Sequence, residues 1–176
     1  QQFLYDIDGY AYLDVVNNVC HVGHCHPHVV RAAQRQMAVL NTNTRYVYDG
    51  LTEYAERLCA TLPEPLRVCF FVNSGSEAND LAVRMCRHFT GQKDIIVLDH
   101  AYHGTSTVTM EMSPYKFDGK GGFGKMSWIH KAISPDLYRG VYKYGEEKAG
   151  EKYAHDVKRI IDELSVEGKS PAVFIC

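Results

Sequence analysis

No apolar run in this 176-residue chain is long enough to cross a bilayer, and no basic stretch leads into an apolar one as in a secretory signal. Neither sign of charge dominates: 19 Lys and Arg against 21 Asp and Glu give a net charge of -2. That balance argues against a nucleic-acid binder and against a membrane-surface protein. The six cysteines, Cys20, Cys25, Cys59, Cys69, Cys86 and Cys176, form no CxxC pair and no short regular framework. Reduced thiols in a cytoplasmic or mitochondrial compartment are therefore expected rather than disulfides. Internal repeats, low-complexity tracts and an interdomain linker are also missing.

What is there suits a packed core, with 45% hydrophobic residues. Residues 2–14 read as a hairpin turning at Asp8-Gly9. A histidine-rich loop, Cys20 to Pro27, leads into a helix from Pro27 to about Asn41. A second helix is expected over Leu51–Leu62, stopped by Pro63 and Pro65, followed by a strand over 67–73. The helix from Ser76 to about Phe89 places Ala78, Leu81, Ala82, Met85 and Phe89 on one face, and Gly91 ends it. Asp94–Asp99 reads as a strand and Thr105–Met112 as a short helix. Residues 113–150 read as loop, with Gly119–Gly124 mobile, and Tyr153–Val166 as a helix before a terminal apolar strand, Pro171–Cys176. The chain thus reads as opening inside a hairpin and closing where the loop after a central strand begins. Strands alternating with helices predict a mainly parallel sheet with helices on both faces. The segment 1–45 reads as an N-terminal piece and 46–176 as the first part of a large domain.

The most informative stretch is Phe70-Phe71-Val72-Asn73-Ser74-Gly75-Ser76-Glu77-Ala78-Asn79-Asp80. An apolar run breaks into small residues and a helix follows, with Ser74 and Glu77 spaced as a capping box. Free N–H groups and the positive end of the helix dipole then face outward, a cradle for phosphate. An ordinary capped turn fits these residues equally well. Further on, His100-Ala101-Tyr102-His103-Gly104-Thr105 offers an aromatic ring at a second strand end. Together the two loops suggest a flat, phosphorylated cofactor, although a packed loop tyrosine is the commoner fate of a residue such as Tyr102. His21, His24, Cys25, His26 and His28 raise a zinc site, but no second ligand pair accompanies them, so no metal is expected. Arg45, with Tyr46, and also Lys116 and Arg139 are candidates for holding a phosphate-bearing substrate, against the alternative of exposed structural cations.

These residues resemble class III, fold-type I, pyridoxal-phosphate-dependent aminotransferases. Asn73-Ser74-Gly75-Ser76-Glu77-Ala78-Asn79 is similar to their phosphate loop, Tyr102-His103-Gly104 to their ring-stacking loop, and Gly23-His24-Cys25-His26-Pro27 to their N-terminal motif. Leu40 to Arg45, Leu98 to Gly104, Ser113 to Phe117, and Pro135-Asp136 with Tyr138-Arg139-Gly140 resemble the branch of ethanolamine-phosphate and 5-phosphohydroxy-lysine phospho-lyases. Thr105 departs from it, standing where those enzymes carry a second histidine. The resemblance implies pyridoxal phosphate held by Ser74, Gly75, Ser76, Tyr102 and His103, and a homodimer or higher oligomer. It implies elimination of phosphate from a small phosphorylated amine, leaving an aldehyde and ammonia. The alternatives are transamination to a 2-oxo acid, or a non-catalytic fragment or short isoform acting only by association. No catalytic residue is expected within this chain, because the family's Schiff-base lysine falls beyond Cys176.

Overall fold

The computed structural model describes residues 1–17 and 21–176. It comprises two compact units, Gln1–Val68 and Cys69–Cys176. Cys20 lies outside the described residues.

The first unit opens on the expected hairpin. β1 (Phe3–Tyr5) runs antiparallel to β2 (Ala11–Leu13), with Phe3 opposite Leu13. Its turn is displaced from Asp8-Gly9: the Gly9 N–H donates to Asp6 O at 3.1 Å, which makes Ile7 and Asp8 the central residues. The Asp6 carboxylate fixes this by accepting the N–H groups of Asp8 at 3.0 Å and Tyr10 at 2.9 Å. Gly9 follows at φ +87, the left-handed position that a three-residue hairpin loop needs. α1 (Pro27–Val39) begins on Pro27 as expected. α2 (Asp49–Cys59) lies somewhat N-terminal of the expected Leu51–Leu62. The 45/46 boundary read from the sequence falls inside this unit.

The second unit contains α3 (Gly75–Thr90), β3 (Asp94–Leu98), α4 (Thr107–Glu111), α5 (Pro114–Phe117), β4 (Ile129–Ala132), α6 (Ala149–Val166) and β5 (Pro171–Ile175). The three strands are parallel in the order β4-β3-β5, so both neighbours of β3 follow it in the chain. Side-chain alternation along β3 divides the core. Ile95 and Val97 pack with Val83 of α3, Met112, Phe117 and Ile129 on one face. Ile96 packs with Ala132 and with Ile160 and Leu164 of α6 on the other. A parallel strand covered on both faces is apolar throughout, as this one is. The architecture is α/β with a parallel sheet and helices on both faces.

Four further expectations fail. Residues 67–73 form no strand among the described residues. β4 arises inside the stretch read as loop, because pairing with β3, not the composition of residues 113–150, makes Ile129–Ala132 a strand. α6 starts at Ala149 rather than Tyr153. The face of α3 is also rotated: Val83 is buried, whereas Met85 is exposed and Phe89 is 89% exposed. Ser76 and Asn79 lie on the same side of the helix as Val83, and both bond to the 103–105 loop. The expected mobile loop 119–124 turns back on α5, with the Gly122 N–H on Gly119 O at 2.8 Å and the Gly124 N–H on Phe117 O at 3.2 Å.

Candidate functional site

Ser74 caps α3 as the sequence predicts, its Oγ accepting the Glu77 N–H at 3.2 Å. The reciprocal arm differs. Glu77 Oε2 accepts both the backbone N–H of Asn73 at 2.8 Å and its Nδ2 at 3.0 Å, one residue before the cap. Gly75 and Ser76 open a 16-residue helix, and N–H groups at such positions have no acceptor inside the helix. The helix dipole adds positive potential there. A Cβ on Gly75 would meet nothing within 4 Å, so an oxyanion can approach the backbone closely.

The second loop follows β3. Tyr102 is 54% exposed and meets Tyr115 edge-on, with ring centroids 6.1 Å apart. His103 is 6% exposed and its Nε2 has no hydrogen-bond partner. Burial pushes this imidazole below its usual value of 6.5, so it is neutral near pH 7. The His103 backbone is held at both ends: its N–H donates to Ser113 Oγ at 2.9 Å, and its carbonyl accepts Asn79 Nδ2 at 2.8 Å. Ser113 Oγ in turn donates to Thr109 O at 2.5 Å. One residue on, the Thr105 N–H donates to Ser76 Oγ at 3.0 Å. Between these contacts Gly104 sits at φ +136, where a Cβ would lie 2.5 Å from Ser76 Oγ and 2.8 Å from Thr109 Oγ1.

The structure therefore brings Ser74, Gly75, Ser76, Tyr102 and His103 onto two loops that are hydrogen-bonded to each other. The supports Asn79, Thr109 and Ser113 are the residues that sequence reasoning missed. Asn79 carried a signal, since it lies one helical turn after Ser76 on the same face. The arrangement can accept an anion at the start of α3 and a flat ring beside Tyr102.

At the carboxyl ends of β3 and β4, Lys131 Nζ lies 2.5 Å from Asp118 Oδ2 and 3.2 Å from Asp99 Oδ1. Its hydrogen bond to Asp118, with Asp99 behind, raises its pKa and keeps it an ammonium, the wrong form for a nucleophilic amine. Arg139 is exposed on a loop held by its neighbour Asp136, 3.6 Å away. Arg45 and Tyr46 belong to the first unit. There the Arg45 N–H and Nε both donate to Asn43 Oδ1, at 3.0 and 3.2 Å, and Tyr46 is exposed. In the same unit His24 Nε2 pairs with Asp14 Oδ2 at 2.6 Å, and no metal-binding cluster occurs among the described residues. No helix of the described residues is long and apolar enough to cross a membrane.

The fold has close relatives. A phospholyase from Arthrobacter, solved with phosphoethanolamine, superposes with a TM-score of 0.85 at 34% identity, over 98% of this chain and 40% of that one. This makes the second unit part of a fold-type I large domain. The aminotransferase class III family matches residues 1–170, and the chain belongs to that family. An alanine–glyoxylate aminotransferase 2-like protein from Drosophila melanogaster is 49% identical over 99% of this chain and 36% of its own length. The ethanolamine-phosphate phospho-lyase homolog 1 of Caenorhabditis elegans is 45% identical over 93% of this chain and 37% of its own length. The chain thus spans well under half the length of these relatives.

Proposed function

We propose that this chain supplies the phosphate- and ring-binding part of a pyridoxal phosphate site, in an enzyme that eliminates phosphate from a small phosphorylated amine. The observation that carries this reading is the coupling of the two loops, Thr105 to Ser76 and Asn79 to His103. It joins an anion cradle to an exposed aromatic ring, the two features that a flat phosphorylated cofactor needs. The residues fit the group: Gly75 leaves the backbone open, and the Gly75 and Ser76 N–H groups face outward from the helix. Ser74 caps the helix beside them. Tyr102 would lie against the ring and shield it from water. His103, neutral and buried, fixes the loop that carries Tyr102. When bound, the cofactor supplies the electron sink for loss of a proton next to the amine, which makes expulsion of phosphate from the neighbouring carbon feasible.

In this reading no lysine of the chain is the Schiff-base residue. Residues 1–45 are an N-terminal segment and 46–176 the first part of the cofactor-binding large domain, the enzyme is a homodimer or higher oligomer, and its compartment is cytoplasmic or mitochondrial. Arg45 and Tyr46 are proposed to contact substrate. The likeness to the nematode phospho-lyase homolog and the Arthrobacter phospholyase favours phosphate elimination. The Drosophila relative favours transamination as the second reading.

The deciding experiment is incubation of the chain with pyridoxal phosphate and ethanolamine phosphate, with and without a 2-oxo acid, followed by borohydride reduction and peptide mapping. Phosphate release without any oxo acid supports the lyase. Amino transfer that requires the oxo acid selects the transaminase. Saturable cofactor binding with no product and no lysine adduct assigns a partial site to the chain. Absence of cofactor binding overturns the proposal.

A further inference from the structure

The cations of the second unit differ in how far they are already engaged. Lys131 is held by Asp99 and Asp118, and Arg139 by Asp136. Arg87 lies over Trp128 at 4.5 Å and donates twice to Lys93 O. Lys125 donates to Ile129 O at 2.7 Å. Lys116 is different. Its ammonium lies 5.7 Å from the ring centroid of Tyr102 and 5.5 Å from that of Tyr115, and no carboxylate among the described residues pairs with it.

Its mounting is rigid. α5 is anchored by the buried Pro114 and Phe117 and preceded by the buried Ser113. Tyr115 N–H donates to Ala101 O at 3.1 Å, and Ser113 Oγ accepts the His103 N–H at 2.9 Å. These bonds flank Tyr102 on both sides in sequence, so the backbone carrying Lys116 and the backbone carrying Tyr102 form one block. The side chain is half-buried, and its aromatic contacts are the weak, displaceable kind. A lysine stem can swing its head group towards an anion without disturbing that block.

We infer that Lys116 is the specificity residue for the substrate's phosphate: it recognises the phosphate of a phosphoamine held beside Tyr102 and discriminates it from the unphosphorylated amine. This rests on the cofactor reading of the two loops. The α3 cradle holds one phosphate through backbone N–H groups, which leaves an unpaired ammonium on the ring side for a second. A compact charge on a flexible stem suits the tetrahedral dianion of a phosphate monoester. The cofactor's own phosphate is the rival source, and the test separates the two.

Wild type, Lys116→Gln and Lys116→Arg are loaded with pyridoxal phosphate and titrated calorimetrically with ethanolamine phosphate and with ethanolamine, while cofactor affinity is read separately by absorbance. Lys116→Gln is expected to weaken ethanolamine phosphate binding roughly 10- to 100-fold, the scale of one charge-assisted contact. Cofactor affinity and the weak binding of ethanolamine stay within about twofold, inside the noise of a surface substitution. Lys116→Arg restores most of the loss. Equal affinity of wild type and Lys116→Gln for ethanolamine phosphate overturns the inference, even if phosphate is released and the lyase reading stands. Loss of cofactor affinity in Lys116→Gln also overturns it, assigning the lysine to the cofactor's phosphate. A Lys116-dependent preference for the phosphoamine, together with amino transfer that requires a 2-oxo acid, upholds the inference and overturns the lyase reading instead.

Discussion

The Thr105 N–H and Ser76 Oγ, 29 positions apart, meet at 3.0 Å and lock the loop after β3 to the first turn of α3. Replacing Ser76 by Ala removes the acceptor and a hydroxyl from the anion cradle together. Cofactor affinity is expected to fall roughly tenfold, about 1.4 kcal/mol. Absorbance titration with pyridoxal phosphate measures it, and an unchanged dissociation constant would take Ser76 out of the site.

Gly75 and Gly104 are expected to respond in opposite ways to the same methyl group. At Gly75 a Cβ meets nothing within 4 Å, so Gly75→Ala should keep its urea midpoint and lose cofactor affinity by crowding the oxyanion. At Gly104 the backbone is at φ +136 and a Cβ would press on Ser76 and Thr109. Gly104→Ala should therefore lose about 1–3 kcal/mol of stability, on the scale of overpacking. Equal unfolding midpoints for the two variants would contradict the packing described here.

His103 gives the fold a dependence on acid. The unfolded chain protonates this imidazole near its ordinary 6.5, whereas the folded protein does so only at lower pH because burial disfavours the cation. The unfolded state therefore binds more protons below pH 6.5, and the stabilisation contributed by neutral His103, complete above that pH, is lost as pH falls. Urea midpoints at about pH 7.5 and about pH 5.5 should separate more for wild type than for His103→Asn. An identical pH slope in the two proteins would show that His103 does not report its burial.

Tyr153 is buried, and its hydroxyl accepts the Tyr142 N–H at 3.1 Å while lying 2.9 Å from Asp136 O and 3.0 Å from Tyr142 O. Tyr153→Phe strands those groups and should lower stability by about 1–3 kcal/mol. Limited proteolysis should then open the chain between residues 136 and 142. Resistance equal to wild type would mean that the loop holds without the hydroxyl.

Much of this was readable in the residues, and what was not has identifiable causes. The cap at Ser74, the end of α3 at Gly91 and the parallel strands β3 and β5 carry local chemistry that acts before any tertiary contact forms. β4 does not: His130 and Lys131 interrupt its apolar pattern, and only the ladder with β3 makes it a strand. The buried face of α3 was misjudged for a related reason. Hydrophobic periodicity points to Met85 and Phe89, yet the buried side is the one that carries Val83 and the bonds of Ser76 and Asn79 to a loop far along the chain. For the site, Gly75, Ser76 and Tyr102 stood out by motif. Lys116 was already a candidate cation within Ser113–Phe117, but its place beside Tyr102 comes from the bond between Tyr115 N–H and Ala101 O.

The strand order β4-β3-β5 also has a consequence for biosynthesis. During translation β3 emerges before either flanking strand exists, so Ile95, Ile96 and Val97 must wait for both sides of their ladder. β4 arrives next, and the second side closes only after α6 has been made and has crossed back over the sheet. A nascent chain in that interval presents an apolar strand with two open edges to any other chain nearby. At that stage α3 can shelter one face of it through Val83.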